Sequence, residues 1–530
     1  MATKVAVIGA GPLGLIAMKI LKEDGFKVTG FEARPYVGGL WKYSEDAALS
    51  VAESTIFNTS RYRTAISDFR FPPGTADYPT WQEMHRYLES YCDAFDLRPH
   101  IQLCSPVTRL SRSGRQWVLH ISPPDCEPRT ECFDKVVVAT GTFTTPRQPH
   151  LPGIENFKGS VIHAINFHRP ALYKDKNVLL VGLHATAQDV AVALLGHANK
   201  LYVSHRNGVL LIPRYAADGS VFDRSQSLMV FRLQLFLSRW LPTTYNWLMD
   251  FFLSRLSAKV FPGIPPSWGF SPAPSFALHP PLVADEIYPL FKSGFAEPVT
   301  AIERVTGGRS LELRDGRVLT DVDAIIFCTG YDTSVPFVDN EYNPYPVVGE
   351  SPHLYRGIFP LHADEEVRNS LAFLGHGAFN LVGFIQAELC TMAVSQIWLG
   401  HSALPSYEEM KQWHSGWMQW RQDQQKAQST EVTFLPGFVS AEDQFPWLDR
   451  TAGTGLVEHF SWFSLRSWSF WWRDRRFYTL CNTGFFSPAL VRLFDMGKRK
   501  AWSQAREQIY KDNEDVARGQ QERLRKLKND

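Results

Sequence analysis

The chain has 530 residues, 44% of them hydrophobic and 21% charged, with a formal net charge of +1. That length exceeds what one compact core fills and points to two or three domains, and the near-neutral balance leaves no field to gather nucleic acid or acidic partners. Seven cysteines (92, 104, 126, 132, 328, 390 and 481) are scattered, odd in number and form no C-x-x-C, which argues for a reducing compartment and against a zinc site or redox dithiol.

The opening, MATKVAVIGAGPLG, runs straight into a strand and a glycine turn, so no signal peptide is expected there. The first unit continues as KVAVIGAGPLGLIAMKILKEDGFKVTGFEA. It reads as a strand from Val5 to Ile8, a Gly9-x-Gly11-x-x-Gly14 turn, and a helix with Leu15, Met18 and Leu21 on one face. A second strand, Val28 to Phe31, ends at Glu32. Gly9 permits the tight turn, Gly11 lets backbone N–H groups reach a pyrophosphate, and Gly14 brings helix and strand close; Glu32 can accept hydrogen bonds from a ribose diol.

The chain then repeats itself. DKVVVATG (Asp134 to Gly141) and DAIIFCTG (Asp323 to Gly330) each read as a buried strand ending in a glycine turn. Between them, VLLVGLHATAQDVAVALL (Val178 to Leu195) forms a second strand–turn–helix signature. The order predicts one nucleotide-binding unit inserted into another, with TTPRQPHLPG (144–153) and FCTGYDTSVPF as the crossings.

Two later stretches are less regular. Residues 228–256 are apolar and aromatic, with Tyr245, Leu248, Phe252 and Leu256 on one helical face; Pro242 and four interspersed charges exclude a span. The final 140 residues hold ten of the sixteen tryptophans, including WFSLRSWSFWWRDRRFY (462–478). Trp with Arg suits a membrane interface or a large apolar site, and a Trp-rich core and lid suits them as well. After Ala501 a charged helix pattern reads as a solvated face or frayed end.

GGLW (38–41), IFNTSRYRTAISDFRFP (56–72), FKGSVIHAINFH (157–168) and TGY (329–331) together resemble the flavin-containing monooxygenases. The third segment matches the fingerprint F-x-G-x-x-x-H-x-x-x-[FY] through Phe157, Gly159, His163 and Phe167. The resemblance implies an α/β fold of two nested dinucleotide-binding, Rossmann-like domains with an α-rich C-terminal region. It divides the chain into 1–155 (FAD-binding, first part), 156–320 (NADPH-binding, with a helical aromatic insertion near 225–270), 321–400 (return to the FAD domain) and 401–530 (Trp-rich region and charged tail).

The same resemblance implies FAD held by Gly9, Ala10, Gly11, Pro12, Leu13, Gly14, Glu32, Gly39, Leu40, Trp41, Asn58 and Thr59, with Thr329 and Gly330 also at the cofactors. NADPH falls to Gly182, His184, Thr186, Ala187 and Asp189, with Arg206 clamping the 2′-phosphate and His205 beside it. The resemblance further implies that Asn58 is the active-site residue and, together with bound NADP+, protects a flavin C4a-hydroperoxide that passes one oxygen of O2 to an amine nitrogen or sulfide sulfur. His184 stands where the family has glycine, and its Cβ and imidazole would crowd a pyrophosphate. The turn swings outward, the imidazole itself donates to a phosphate, or the site is dead; the retained Arg206, Asn58 and 157–167 fingerprint favour weakened or re-shaped binding.

A Baeyer–Villiger enzyme shares the fold, but its fingerprint usually has Trp then Pro or Asp where this chain has Phe167-His168. A non-catalytic FAD-binding module is the other alternative. No metal is implied. The substrate is expected to be small and apolar, the location cytoplasmic, with peripheral contact at the cytosolic face of an internal membrane left open.

Overall fold

A computed structural model describes residues 2–45, 49–124, 126–379, 381, 383–426 and 437–529. Two five-stranded, all-parallel sheets organise it. The first runs Leu371–Phe373, Lys135–Val138, Lys4–Ile8, Lys27–Phe31, Ile101–Gln102. Its strands are apolar on both faces because both are covered. Val5 and Val7 point toward the Pro12–Glu23 helix, while Ala6 and Ile8 pack with Trp117 of a three-stranded antiparallel sheet. A second helix, Ile385–Trp398, lies against the first, so Pro12–Glu23 is buried all round from Gly14 to Leu21 rather than on one face. Lys19 is enclosed with the rest and pairs with Glu23 at 2.7 Å and with Asp68.

The second sheet repeats this plan in the order Ala296–Val299, Lys200–Ser204, Asn177–Val181, Ala324–Phe327, Ser160–His163. Val178 and Leu180 face the Ala185–Leu194 helix, and Leu179 faces another small antiparallel sheet. The two Asp–apolar–Thr–Gly strands therefore occupy equivalent places, one in each sheet. This corrects the expected boundary at 321. Ala324–Phe327 pairs with Asn177–Val181 and completes the second sheet, and the chain rejoins the first sheet only at Leu371.

The chain crosses between units twice, side by side. Thr145–Pro146 and Tyr331–Asp332 form an antiparallel ladder, tightened by Arg147 Nε donating to Asp332 Oδ1 at 2.8 Å. From the second unit, Leu228–Trp240 and Pro242–Val260 form a helical hairpin, broken where Pro242 opens the second helix. The stripe expected on one helical face straddles the edge of the buried surface: Tyr245 is buried, but Leu248 and Phe252 are exposed.

The charged tail is not a frayed end. Ala505–Asn529 is one helix with Ile509 and Val516 buried. Its acids and arginines meet partners far away in sequence. Asp512 and Asp515 pair with Arg70, Arg523 with Asp77, and Gln520 Nε2 donates to Asp218 O at 3.1 Å. The helix thus straps the 62–78 segment of the first unit to the 214–224 segment of the second. Gly519 permits the close approach, since a Cβ there would stand 2.6 Å from Tyr62 Oη.

Candidate cofactor cleft

Two of the three glycines of the first turn, Gly9 and Gly14, are fixed by a contact. Gly9 has φ +101° and a Cβ would lie 2.7 Å from Ala139 O; a Cβ on Gly14 would fall 1.9 Å from Gly9 O. Gly11 precedes the helix, with Gly39 opposite it so that a Cβ would sit 3.6 Å from Gly39 Cα. Pro12 takes the first helical position, where its missing N–H costs nothing. Glu32 is buried and closes the turn: Ala10 N donates to Oε2 at 2.7 Å and Arg34 N to Oε1 at 2.9 Å. Gly39, Leu40 and Trp41 form one 3-10 turn held by Gly38 N donating to Ala10 O at 2.8 Å. The Trp41 ring lies 4.8 Å from Phe57, and Phe57 lies 6.5 Å from Phe384.

Phe384 belongs to a part of the site that motif reading missed. The segment 374–384 leads from the last strand of the first sheet into the Ile385–Trp398 helix. With Leu13 it lines a cavity of about 150 Å³, reached also by Gly375, Gly383 and Gln386. Gly375, at φ +89°, leaves space that a Cβ would fill, 2.8 Å from Leu13 Cδ1. Gly357, Gly375, Gly377 and Gly383 thus bring backbone to the wall of this cavity beside the first glycine turn. The signal in the sequence was an apolar strand running into several glycines before a helix, without the G-x-G-x-x-G spacing.

The second turn copies the first. Gly182 N donates to Ser204 O at 2.8 Å, as Gly9 N does to Phe31 O at 2.8 Å. Gly182 has φ +112°, and a Cβ would stand 2.6 Å from Cys328 O. His184 occupies the N-cap of Ala185–Leu194 in extended backbone, which accommodates any residue. Its imidazole is tied elsewhere: Nε2 meets Pro280 O at 3.1 Å, and the ring stands edge-on to His279 at 5.3 Å. Burial lowers its pKa, so it is a neutral donor to that carbonyl. Ala187 is buried under the helix start and Thr186 is half-exposed.

Arg206 is exposed two residues beyond the Lys200–Ser204 strand. His205 is not available beside it, because it is buried with Nδ1 2.8 Å from Asn207 O and Nε2 2.8 Å from Trp268 O. Thr329 and Gly330 sit at the crossing. Thr329 Oγ1 donates to Arg147 O, and Gly330 O accepts from Arg147 N at 3.0 Å and from His163 Nε2 at 3.1 Å. The 157–167 fingerprint builds this joint: Phe157 and Phe167 are buried, and a Cβ on Gly159 would strike Asp323 O at 2.2 Å.

Asn58 is exposed at the middle of a loop that the second unit grips from both sides. Thr55 Oγ1 donates to Asp189 Oδ2 at 2.7 Å, and Ser54 Oγ to Asp189 O at 2.8 Å. At the other end Ser60 donates through N to Asp223 Oδ2 at 2.8 Å and through Oγ to Oδ1 at 2.9 Å. Asp189 thus faces the first unit and not the second turn, where it was expected. Burial pushes its carboxyl up to about 7, against the Thr55 hydrogen bond. Asp223 is raised by burial too, opposed by Ser60 and the Arg63 charge. Among the described residues no cluster of His, Cys, Asp or Glu is arranged to hold a metal ion.

Residues 2–434 match the family model described as FMO-like, flavin-binding monooxygenase-like. The chain is 35% identical over 526 residues to the monooxygenase aurF of Gibberella zeae, covering 96% of this chain and 97% of that one. Its fold resembles S-allyl-L-cysteine S-oxygenase from Allium sativum (TM-score 0.60, 22% identity, 86% of this chain and 89% of that one). Cyclohexanone monooxygenase bound to epsilon-caprolactone is as similar (TM-score 0.60, 18% identity, 86% and 98%). Paired glycine turns, the fingerprint at the crossing and the match over most of the chain agree: this chain belongs to the flavin-binding monooxygenase-like family, oxidoreductases that work with FAD and NADPH.

Proposed function

We propose that the protein inserts one oxygen atom of O2 into a soft nucleophile, an amine nitrogen or sulfide sulfur, on a small apolar molecule. The supporting observation is the Asn58 loop, held at both ends by the NADPH unit while Phe57 beside it packs on Trp41 and Phe384 of the FAD unit. FAD and NADPH, when bound, would supply the redox and oxygen-activating chemistry.

The chain's own groups bind, orient and exclude water. The first turn and the 375–383 glycines receive the flavin nucleotide, and Glu32 orders a ribose diol. Its two oxygens hold one backbone N–H each and retain accepting capacity. Gly182 and the start of Ala185–Leu194 take the second pyrophosphate, and Arg206 clamps the 2′-phosphate. The Asn58 amide offers a donor and an acceptor from a loop whose position is fixed by two carboxyls. His184, tied to Pro280, re-shapes this entrance without abolishing it.

Ketone oxygenation is the second reading, favoured by the equal fold likeness to cyclohexanone monooxygenase; Phe167-His168 counts against it. The proposal includes peripheral contact with the cytosolic face of an internal membrane, supported by exposed aromatic helices. Among the described residues no helix is long and apolar enough to cross a membrane.

Anaerobic mixing with NADPH, and separately with NADH, tests the reading. Flavin bleaching that favours NADPH, followed in air by amine or sulfide products one oxygen heavier, supports it. Absence of bleaching with both would leave a non-catalytic FAD-binding module.

A further inference from the structure

The family match ends at residue 434, and the Ala505–Asn529 helix lies beyond it. One stripe of this helix, Ile509, Asp512, Val516, Gly519 and Arg523, recurs at i, i+3, i+7, i+10 and i+14 and so shares a face. Val516 closes a small core drawn from three parts of the chain. Tyr62 and Tyr78 come from the first unit, Val221 from the second, and Phe485 from the C-terminal region, with Ile56 packed against them. Ile56 and Tyr62 flank Asn58 in the sequence.

The polar end of the stripe joins the two units. Arg523 pairs with Asp77 of the first unit, and its Nε donates to Gly219 O of the second at 2.5 Å. The Arg523 and Asp77 side chains are 16% and 17% exposed, so the pair escapes much of the screening that weakens surface ion pairs. The guanidinium also lies 4.9 Å from the Tyr215 ring centre. Asp77 in turn holds the chain just past Asn58: its Oδ1 accepts from Tyr62 Oη at 2.8 Å, and its backbone O from Arg61 N at 2.7 Å. Gly219 belongs to the 214–224 segment, whose Asp223 grips Ser60 on the other side of the same loop. It has φ +71°, and a Cβ there would stand 3.3 Å from Leu524 Cγ.

A helix that merely capped the fold would need contacts with one unit only. Here Asp512 and Asp515 hold the first unit through Arg70, while Gln520 and Arg523 reach the second through Asp218 and Gly219. Both sets sit on one rigid rod, which fixes the spacing of the units at the loop between them.

We propose that Arg523 is a positioning residue for the reaction: by joining Asp77 to Gly219 it holds the loop that carries Asn58 at a fixed distance from the second unit. This rests on the role given to Asn58 in the proposed function and adds to it a segment outside the family match. A loop released on that side protects activated oxygen less, and the oxygen leaves as hydrogen peroxide. One NADPH, one proton and one O2 then give one NADP+ and one H2O2.

The test uses the full, FAD-loaded chain and needs no substrate. In air with NADPH, Arg523→Ala should release peroxide about fivefold faster than wild type, while anaerobic bleaching by NADPH stays within about twofold. Amide hydrogen exchange of the 54–64 peptide, measured without NADPH, should quicken in the same variant. Arg523→Lys, which keeps the charge but not the fork, should fall between the two. Asp77→Asn should match Arg523→Ala, and the double variant should be no faster than either single one. Multiplied effects overturn the route through Asp77. Arg112→Gln breaks a buried ion pair with Asp364 and Glu366 inside the first unit; it should lower Tm and leave peroxide release at the wild-type rate. A rise as large as that of Arg523→Ala would mark a general stability effect and overturn the proposal. Wild-type peroxide release and exchange in Arg523→Ala overturn the positioning role and leave the helix as a cap. If Asn58→Ala is then still fast in peroxide, the reading of Asn58 stands without this one; Asn58→Ala at the wild-type rate overturns both.

Discussion

Thr55 Oγ1 donates to Asp189 Oδ2 at 2.7 Å, joining the loop that carries Asn58 to the helix that begins at the second glycine turn. The bond spans the two units, so occupancy of one cofactor site has a direct route to the geometry of the other. Thr55→Val should leave FAD content unchanged and lower the product formed per NADPH several-fold, with hydrogen peroxide rising to match. Thr55→Ser should restore coupling. Leaving the Asp189 carboxyl without its donor costs about 1–3 kcal/mol, visible as a lower Tm. Full coupling in the Val variant would show that the bond has no part in holding Asn58. Asn58→Ala should keep FAD and lose product almost entirely to peroxide.

Asp189 titrates near 7 in the folded chain, against 3.8 ordinarily, because burial disfavours its charge. The folded state therefore keeps a proton that the unfolded chain releases. Its stability contribution is fully present below the ordinary carboxylate pKa, falls as pH rises toward about 7, and is constant above. Asp189→Asn should flatten the decline in Tm between about pH 4 and pH 7 by a few degrees. An unchanged Tm profile would mean that the carboxyl is charged throughout.

His184 is tied to Pro280 O, so removing the imidazole should not open the turn further. His184→Gly is expected to change the Kd for NADPH by less than about threefold and to lose about 1 kcal/mol of stability with the hydrogen bond. Gly182→Ala, forced against Cys328 O, should abolish bleaching by NADPH. A tightening beyond tenfold in His184→Gly, measured by titration, would show that the imidazole does crowd the ligand.

Arg206 is the exposed cation at the end of its strand, since His205 is engaged with two carbonyls. Arg206→Ala should weaken NADPH by about tenfold or more and leave NADH reduction unaffected, a difference that stopped-flow bleaching reads directly. His205→Asn should act on stability, not on the choice between the two nucleotides.

Both strand–turn–helix units were legible because their information is local: an apolar run, a glycine where only positive φ fits, a helix start. What escaped was non-local. The strings at 134–141 and 323–330 are nearly the same, and only pairing with Asn177–Val181 reveals that the second belongs to the inserted sheet. The 375–383 glycines lack the familiar spacing, although they stand against Leu13. The final helix looked solvated because Arg70 and Asp77, which neutralise Asp515 and Arg523, lie more than 400 residues earlier. Asn58 was found through resemblance, but its two carboxyl anchors come from another unit and no spacing rule reaches them.

The paired crossings at Thr145–Pro146 and Tyr331–Asp332 have a consequence for the architecture's divisibility. Neighbouring antiparallel residues lie about 5 Å apart, a gap that a two-residue turn closes. The inserted unit therefore enters and leaves its host at one point, like a module plugged into a single socket. The host's own sheet, with strands from both sides of that point, stays contiguous when the insert is excised. The single covalent joint lets the second turn vary at position 184 without disturbing the turn at Gly9, while Leu228 and Phe231 of the inserted stretch remain part of the host's own core.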